Sequence, residues 1–399
     1  MKTTNPIPAG LALACLLATL NPQLSTCFAQ GSLTPPGAPA PTFKTLAQIE
    51  PRTPIGASTT PGDASSLFKI TQPGSYYLTT NLTGVAAKHG IEITASGVTL
   101  DLVGFELAGG VTNSLDGVRV SVIVTNLAIR NGSVRNWGGD GVDTFNARNG
   151  QYQDLGFSAN GGRGLFCGEG STVTGCTARS NGGGGIAAGG GSTVTGCTAR
   201  DNTGTGIFAD PGSTVTGCTA LSNTGTGISA GLGSTVTGCT ASFNTGNGIF
   251  ADAGTVTGCT ASGNAGDGIS TTNGSTVTGC TARANTRDGI QVGFDCRVTD
   301  NTCDSNGDGG DGAGIHAIGS DTRIEGNNVT DNDRGIDVDA AGNLIIRNSA
   351  SGNTTNYDIV ANNVFGPILD RRAPASAAVL GFSAASSLGT TDANANFSY

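Results

Sequence analysis

Between residues 170 and 291 the chain repeats one short pattern of inward and outward positions, S-T-V-T-G-C-T-A-x-x-N-x-G-x-G-I. Val flanked by outward-facing Thr is the period-two signature of a half-buried strand. The Val recurs at Val173, Val194, Val215, Val236, Val256 and Val277, in steps of 21 residues with one step of 20. Three positions after each Val stands Cys176, Cys197, Cys218, Cys239, Cys259 or Cys280. Eight after it stands Asn181, Asn202, Asn223, Asn244, Asn264 or Asn285, and thirteen after it an Ile, from Ile186 to Ile290. Downstream, Val298, Ile324 and Ile345 continue the Val position, with Asn301, Asn327 and Asn348 replacing Cys and Asn306, Asn332 and Asn353 in the Asn position. Upstream, Tyr152, Leu155, Phe157, Asn160 and Leu165 fit the same frame with larger side chains. The frame predicts an all-β solenoid of about twelve coils, each built of short strands joined by turns with Gly or Asn at the corners, residues that tolerate positive φ. Leucine-rich repeats share the period but not this composition, calcium β-rolls repeat every nine residues, and helical repeats do not tolerate so much Gly.

Composition sharpens the picture. Gly accounts for 66 of 399 residues, charged residues for only 12%, and the net charge is −9. Gly follows no every-third-residue rule, which excludes collagen. A chain this acidic and poor in Lys has no basic stripe for phosphates, so nucleic acid is not an expected partner. An apolar run over residues 9–20 follows Lys2 and ends at Asn21-Pro22, the form of a signal peptide (residues 1–29). Leu24-Ser25-Thr26-Cys27 offers the alternative of a lipoprotein anchor at Cys27. Residues 30–66, rich in Pro, Ala, Ser and Thr, read as a linker; residues 67–372 as the solenoid with its caps; residues 373–399 as a tail. No later segment is apolar and long enough for a membrane helix. Export to the cell surface or beyond is the expected destination.

The pattern V-x-x-[C/N]-x-[A/V]-x-x-N…G-I, running over roughly residues 90–360, resembles the right-handed parallel β-helix repeat proteins of the pectate-lyase-like superfamily, including NosD-type repeats. The resemblance implies a single-stranded, right-handed parallel β-helix; handedness comes from it and not from the spacing. Leu78 to Leu82 and Tyr357 to Ile368 look like its caps, which such a rod requires because open ends present unpaired strand edges. Fold alone does not imply function, since the superfamily includes lyases, hydrolases, isomerases and adhesins.

The repeated polar residues have structural explanations. Stacked Asn amides bond from coil to coil, and a Cys row inside the rod is expected to be a ladder of free thiols filling space, with sporadic disulfides between coils as the alternative. The paired Thr rows, such as Thr172/Thr174 and Thr193/Thr195, are similar to the T-x-T arrays of ice-binding β-solenoids, and Thr is also simply a favoured strand residue.

Chemistry is expected where the repeat breaks down. Residues 295–339 hold ten of the chain's 24 Asp, and the step from Val298 to Ile324 grows to 26 residues. Within the insertion, Asp304, Asn306 and Asp308 match the first half of a calcium loop, with Asp311 close behind; Ca2+ is the cofactor such a set would hold. The twelfth loop position is Ile315 rather than Glu, and a solvated acidic turn is the alternative. His316 follows the inward Ile315, and Asp337 holds its slot in the next coil, flanked by Arg334 and Asp339; the group suits acid–base work or a surface ion pair. Near-identical coils make poor active sites, which points to a non-catalytic exported scaffold or adhesive protein that binds extracellular polysaccharide. The Asp-rich coils 298–345 supply the alternative, a polysaccharide lyase or glycoside hydrolase.

Overall fold

The structure, a computed structural model, describes residues 50–110, 113–308, 310, 312–370, 380–381 and 392–399. The expected signal segment and most of the linker and tail lie outside them, as does Asp311. Residues 51–399 form one unit; among the described residues its regular elements are all strands, and no helix is long and apolar enough to cross a membrane.

Every named strand pairing is parallel, as a solenoid requires, and the strands fall into two large sheets. One sheet has fifteen strands, one per coil, from Ser66–Ile70 through Ile186–Ala188 to Leu380–Gly381. The other takes two strands from most coils, such as Thr172–Thr174 and Thr177–Arg179. These two meet at a corner where Gly175 adopts φ 63°. In two upstream coils the corner lies within single eight-residue strands, Ala128–Arg135 and Gln151–Ser158.

The rod has about fifteen coils, not twelve, because strands at both ends carry the frame with altered residues. It also starts within the expected linker. Thr53–Pro54 pairs with Tyr76 and Tyr77, and Ile55 joins the core, so the first coil begins near residue 51. Pro54 is tolerated there because an edge strand needs no donor on its outer side. At the other end, Asn396–Ser398 pairs with Ile368–Asp370 and brings part of the expected tail into the sheet.

The core is a set of stacked rows. Val173 to Val277, Ala178 to Ala282 and Ile186 to Ile290 are almost wholly shielded from solvent, each above its counterpart in the next coil. The Asn row runs from Asn160 to Asn353 as a continuous ladder: each side-chain amide donates to the next Asn Oδ1 at 2.9–3.0 Å. That same Oδ1 also accepts the backbone N–H of the previous Asn. The left-handed corner expected at Asn sits one residue earlier, at Ser180, Asp201, Ser222, Phe243 and Ala284, with φ of 52–56°. Each costs about 1–2 kcal/mol. The ladder Asn that follows therefore points inward, where its amide does more than a turn residue could.

The Cys row is likewise a bonded row. All nine Cys from Cys167 to Cys303 are buried free thiols. Cys197 N–H donates to Cys218 Sγ at 3.4 Å, and the next three coils repeat this. At the end of the row Cys280 N–H donates to Asn301 Oδ1 at 2.9 Å. The position accepts Cys or Asn because both offer an acceptor to the coil before.

Candidate functional site

In fourteen strands of the fifteen-stranded sheet, from Ser66–Ile70 to Thr355–Ile359, the central residue between two inward ones faces outward. Strand register strings these residues into one continuous row: Lys69, Glu92, Arg119, Asp143, Phe166, Ala187, Phe208, Ser229, Phe250, Ser270, Gln291, His316, Asp337, Asp358. Both ends are charged and the middle is aromatic. Phe166, Phe208 and Phe250 occur at every second coil, hence about 10 Å apart, with Ala187 and Ser229 between them. Phe145 stacks on Phe166 with ring centroids 4.7 Å apart, and the Arg163 guanidinium lies 4.0 Å over the same ring.

The downstream end of the row gathers the three residues expected to act together. Register sets His316 directly against Asp337, and its Nε2 lies 4.0 Å from Asp337 Oδ2. Arg334 Nη1 donates to the same oxygen at 2.8 Å, while Arg334 Nε pairs with Asp358 at 3.3 Å. Two further carboxylates complete the group, Asp339, which the sequence already set beside it, and Asp288, which was not anticipated. Asp288 meets His316 Nδ1 at 2.9 Å from the coil before, and Asp339 meets Nε2 at 3.0 Å from the strand end. Asp288 is buried and also accepts from Ala313 N–H at 2.8 Å and Gln291 Nε2 at 3.4 Å. Beside it lies a cleft of about 230 Å³ lined by Thr286, Arg287, Asp288, Gln291, Gly312 and His316.

Asp288 was visible in principle. Two positions before the Ile, at a variable position of the motif, successive copies read Thr205, Thr226, Asn247, Asp267, Asp288, a drift toward acid. The variable slot, not the repeated one, carried the signal.

The half calcium motif is not gathered in this way. Asp304 pairs with Arg283 at 2.9 Å and accepts from Thr330. Asn306 is buried and its amide is spent in the ladder, accepting from Asn285 and donating to Asn332 and Ala282. Asp308 is exposed, and Asp311 lies outside the described residues. Among the described residues, the group of His, Cys and acid side chains that converges closely enough to hold an ion is His316, Asp337 and Asp339.

Burial works against charge on His316, but the hydrogen bond and charge of Asp288, with Asp339 and Asp337 behind them, raise its pKa from 6.5 to about 9. Burial raises Asp337 against the pull of His316 and Arg334, and burial followed by the charge of Asp288 raises Asp267. At neutral pH the imidazole is therefore charged, with both N–H groups held by carboxylates. An imidazole raised on folding stabilises fully below about pH 6.5 and loses that contribution as pH rises through about 9. Between pH 6 and 10, in EDTA, the native protein should lose about 2–3 kcal/mol more stability than His316→Gln. Urea unfolding at both pH values measures this, and parallel losses would contradict the assigned charge.

A second cluster sits at the upstream end. His89 Nδ1 lies 3.1 Å from Asp116 Oδ2, and Arg119 bridges Asp116 at 3.2 Å and Asp143 at 3.7 Å. The chain's only two His thus lie on one sheet, towards its opposite ends.

The family model for the right handed beta helix region matches residues 89–254 and 188–322, together more than half of the chain. No curated protein matches the chain in sequence. Among solved structures it is similar to the A-module of mannuronan C-5 epimerase AlgE4 from Azotobacter vinelandii, with 15% identity and a TM-score of 0.46 over 71% of this chain and 88% of that one. It is also similar to a variant of the periplasmic alginate epimerase AlgG, with 13% identity and a TM-score of 0.44 over 76% of this chain and 82% of that one. At these identities the likenesses concern the course of the backbone, and neither protein's activity carries over. By the extent of the family match, the chain belongs to the right handed beta helix region family.

Proposed function

We propose that this protein is an exported, non-catalytic scaffold that binds a polysaccharide along the outward row of the fifteen-stranded sheet. The observation that carries the reading is the aromatic middle of that row, with Phe rings at every second coil and small residues between. Rings about 10 Å apart on a rigid sheet suit the apolar faces of alternate sugar units in an extended glycan. Carboxylates outnumber cations at the downstream end and the chain carries −9 overall, which favours a neutral glycan over a polyanion. The apolar run over residues 9–20 supports export.

A second reading, a polysaccharide lyase or glycoside hydrolase acting at coils 298–345, draws on the contact between His316 and Asp337. One experiment addresses both. The protein is run in affinity electrophoresis through neutral and acidic polysaccharides while reducing ends and unsaturated products are followed. Retardation by a neutral glycan should weaken roughly tenfold or more in the Phe208→Ala, Phe250→Ala double variant, with no product formed. Binding indifferent to both rings would overturn the leading reading. Product release that vanishes in His316→Ala would install the second.

A further inference from the structure

We propose that His316, Asp337 and Asp339 form a binding site for one divalent first-row transition-metal ion, with Zn2+ the best-matched common member. Their donor atoms all lie within 4.8 Å of one another, and His316 Nε2 is 3.0 Å from Asp339 Oδ2 and 4.0 Å from Asp337 Oδ2. Ligand atoms about 2.0–2.1 Å from a tetrahedral ion stand roughly 3.3 Å from one another, so modest side-chain adjustment closes the set.

The independent observation is the group behind the imidazole. Asp288, buried and fixed by Ala313 N–H, holds Nδ1 at 2.9 Å and so leaves Nε2 facing the two carboxylates. A carboxylate behind a ligating imidazole is the usual outer-sphere support of such a site, setting the tautomer and ring orientation. The supports are rigid as well. His316 and Asp337 sit opposite each other on paired strands, Ala313–Ala317 and Arg334–Val338, and Asp339 follows directly. Arg334 holds Asp337 in place, and the negative charge of Asp267, Asp288, Asp337, Asp339 and Asp358 exceeds the positive charge of Arg287 and Arg334 around the imidazole.

The donor set selects the ion. One imidazole with two carboxylates falls short of the six to eight oxygens that Ca2+ takes. Thiolate sites are set apart from it, because the nine Cys from Cys167 to Cys303 are buried inside the solenoid. Imidazole with carboxylate suits Zn2+, Fe2+ and Mn2+, and of these Zn2+ binds most tightly at comparable sites. The remaining coordination positions are left to water or a ligand oxygen. None of this rests on glycan binding.

The test is equilibrium dialysis and titration calorimetry of the full chain with Zn2+ alone, followed by Co2+ absorption. One Zn2+ per chain is expected, with affinity reduced about tenfold or more in His316→Ala, in Asp339→Asn and, through lost orientation, in Asp288→Asn. Asp339 is exposed at the strand end, so its variant keeps the fold, as circular dichroism will verify, even if the buried changes do not. Bound Co2+ should show no thiolate charge-transfer absorption. Absence of Zn2+ binding, an affinity unchanged in Asp339→Asn and His316→Ala, or a thiolate band would each overturn the proposal.

Discussion

Replacing Asn223 by Ala is expected to destabilise the solenoid by about 3–5 kcal/mol, whereas Thr224→Ala next to it should change stability by no more than about 0.5 kcal/mol. Asn223 lies in the middle of the ladder and is buried. Its Oδ1 accepts from Asn202 N–H at 3.1 Å and from Asn202 Nδ2 at 3.0 Å. Its Nδ2 donates to Asn244 Oδ1 at 3.0 Å and to Ala199 carbonyl at 3.1 Å. Ala leaves two donors and one acceptor of neighbouring coils without a partner in the interior, and each such group costs about 1–3 kcal/mol. Water admitted to the vacated space recovers part of that, which sets the upper figure. Urea unfolding gives the loss, and hydrogen exchange should show it concentrated at coils 199–244, since each coil touches only its neighbours. A loss near 1 kcal/mol would mean that the ladder is incidental to stability.

A comparable loss, about 3 kcal/mol or more, is expected from Gly227→Ala, against about 1–2 kcal/mol for Gly217→Ala. Both positions are Gly in every near-identical coil, yet for different reasons. Gly217 stands at the left-handed corner, φ 59°, with open space where a Cβ would go; Ala there suffers only the backbone penalty. Gly227 has an ordinary φ, but an added Cβ would lie 2.6 Å from Asn244 Nδ2, 2.6 Å from Gly248 carbonyl and 3.1 Å from Ala241 Cβ. Backbone of the next coil cannot yield without breaking the stack. Equal losses at the two sites would show that the coils are more compliant than their close approach implies.

These two substitutions also mark how far the chain can be read unaided. Val173, Cys176, Asn181 and Ile186 recur with their coil-mates because each must lie above its own copy, so the period and the inward rows are written in the spacing. The same reading placed His316 beside Asp337, since register follows from the Ile row. It also identified the Asn row as structural, because an amide both donates and accepts and so can be stacked without end.

The start near residue 51 and the return of Asn396–Ser398 were hidden by composition. Residues 30–66 look like linker throughout, and the closing strand is too short to show a period. Within the candidate site, Asp288 lies 28 residues from His316, outside the row that pairs with it. The chain reveals what repeats, because repetition is local periodicity expressed as stacking. Which unlike residues meet on the outer face depends on how the corners turn each strand and how the 26-residue step re-enters register. That face brings together Phe166, Phe208 and Phe250, and closes Asp288 and Asp339 on His316, through contacts between coils that no single coil encodes.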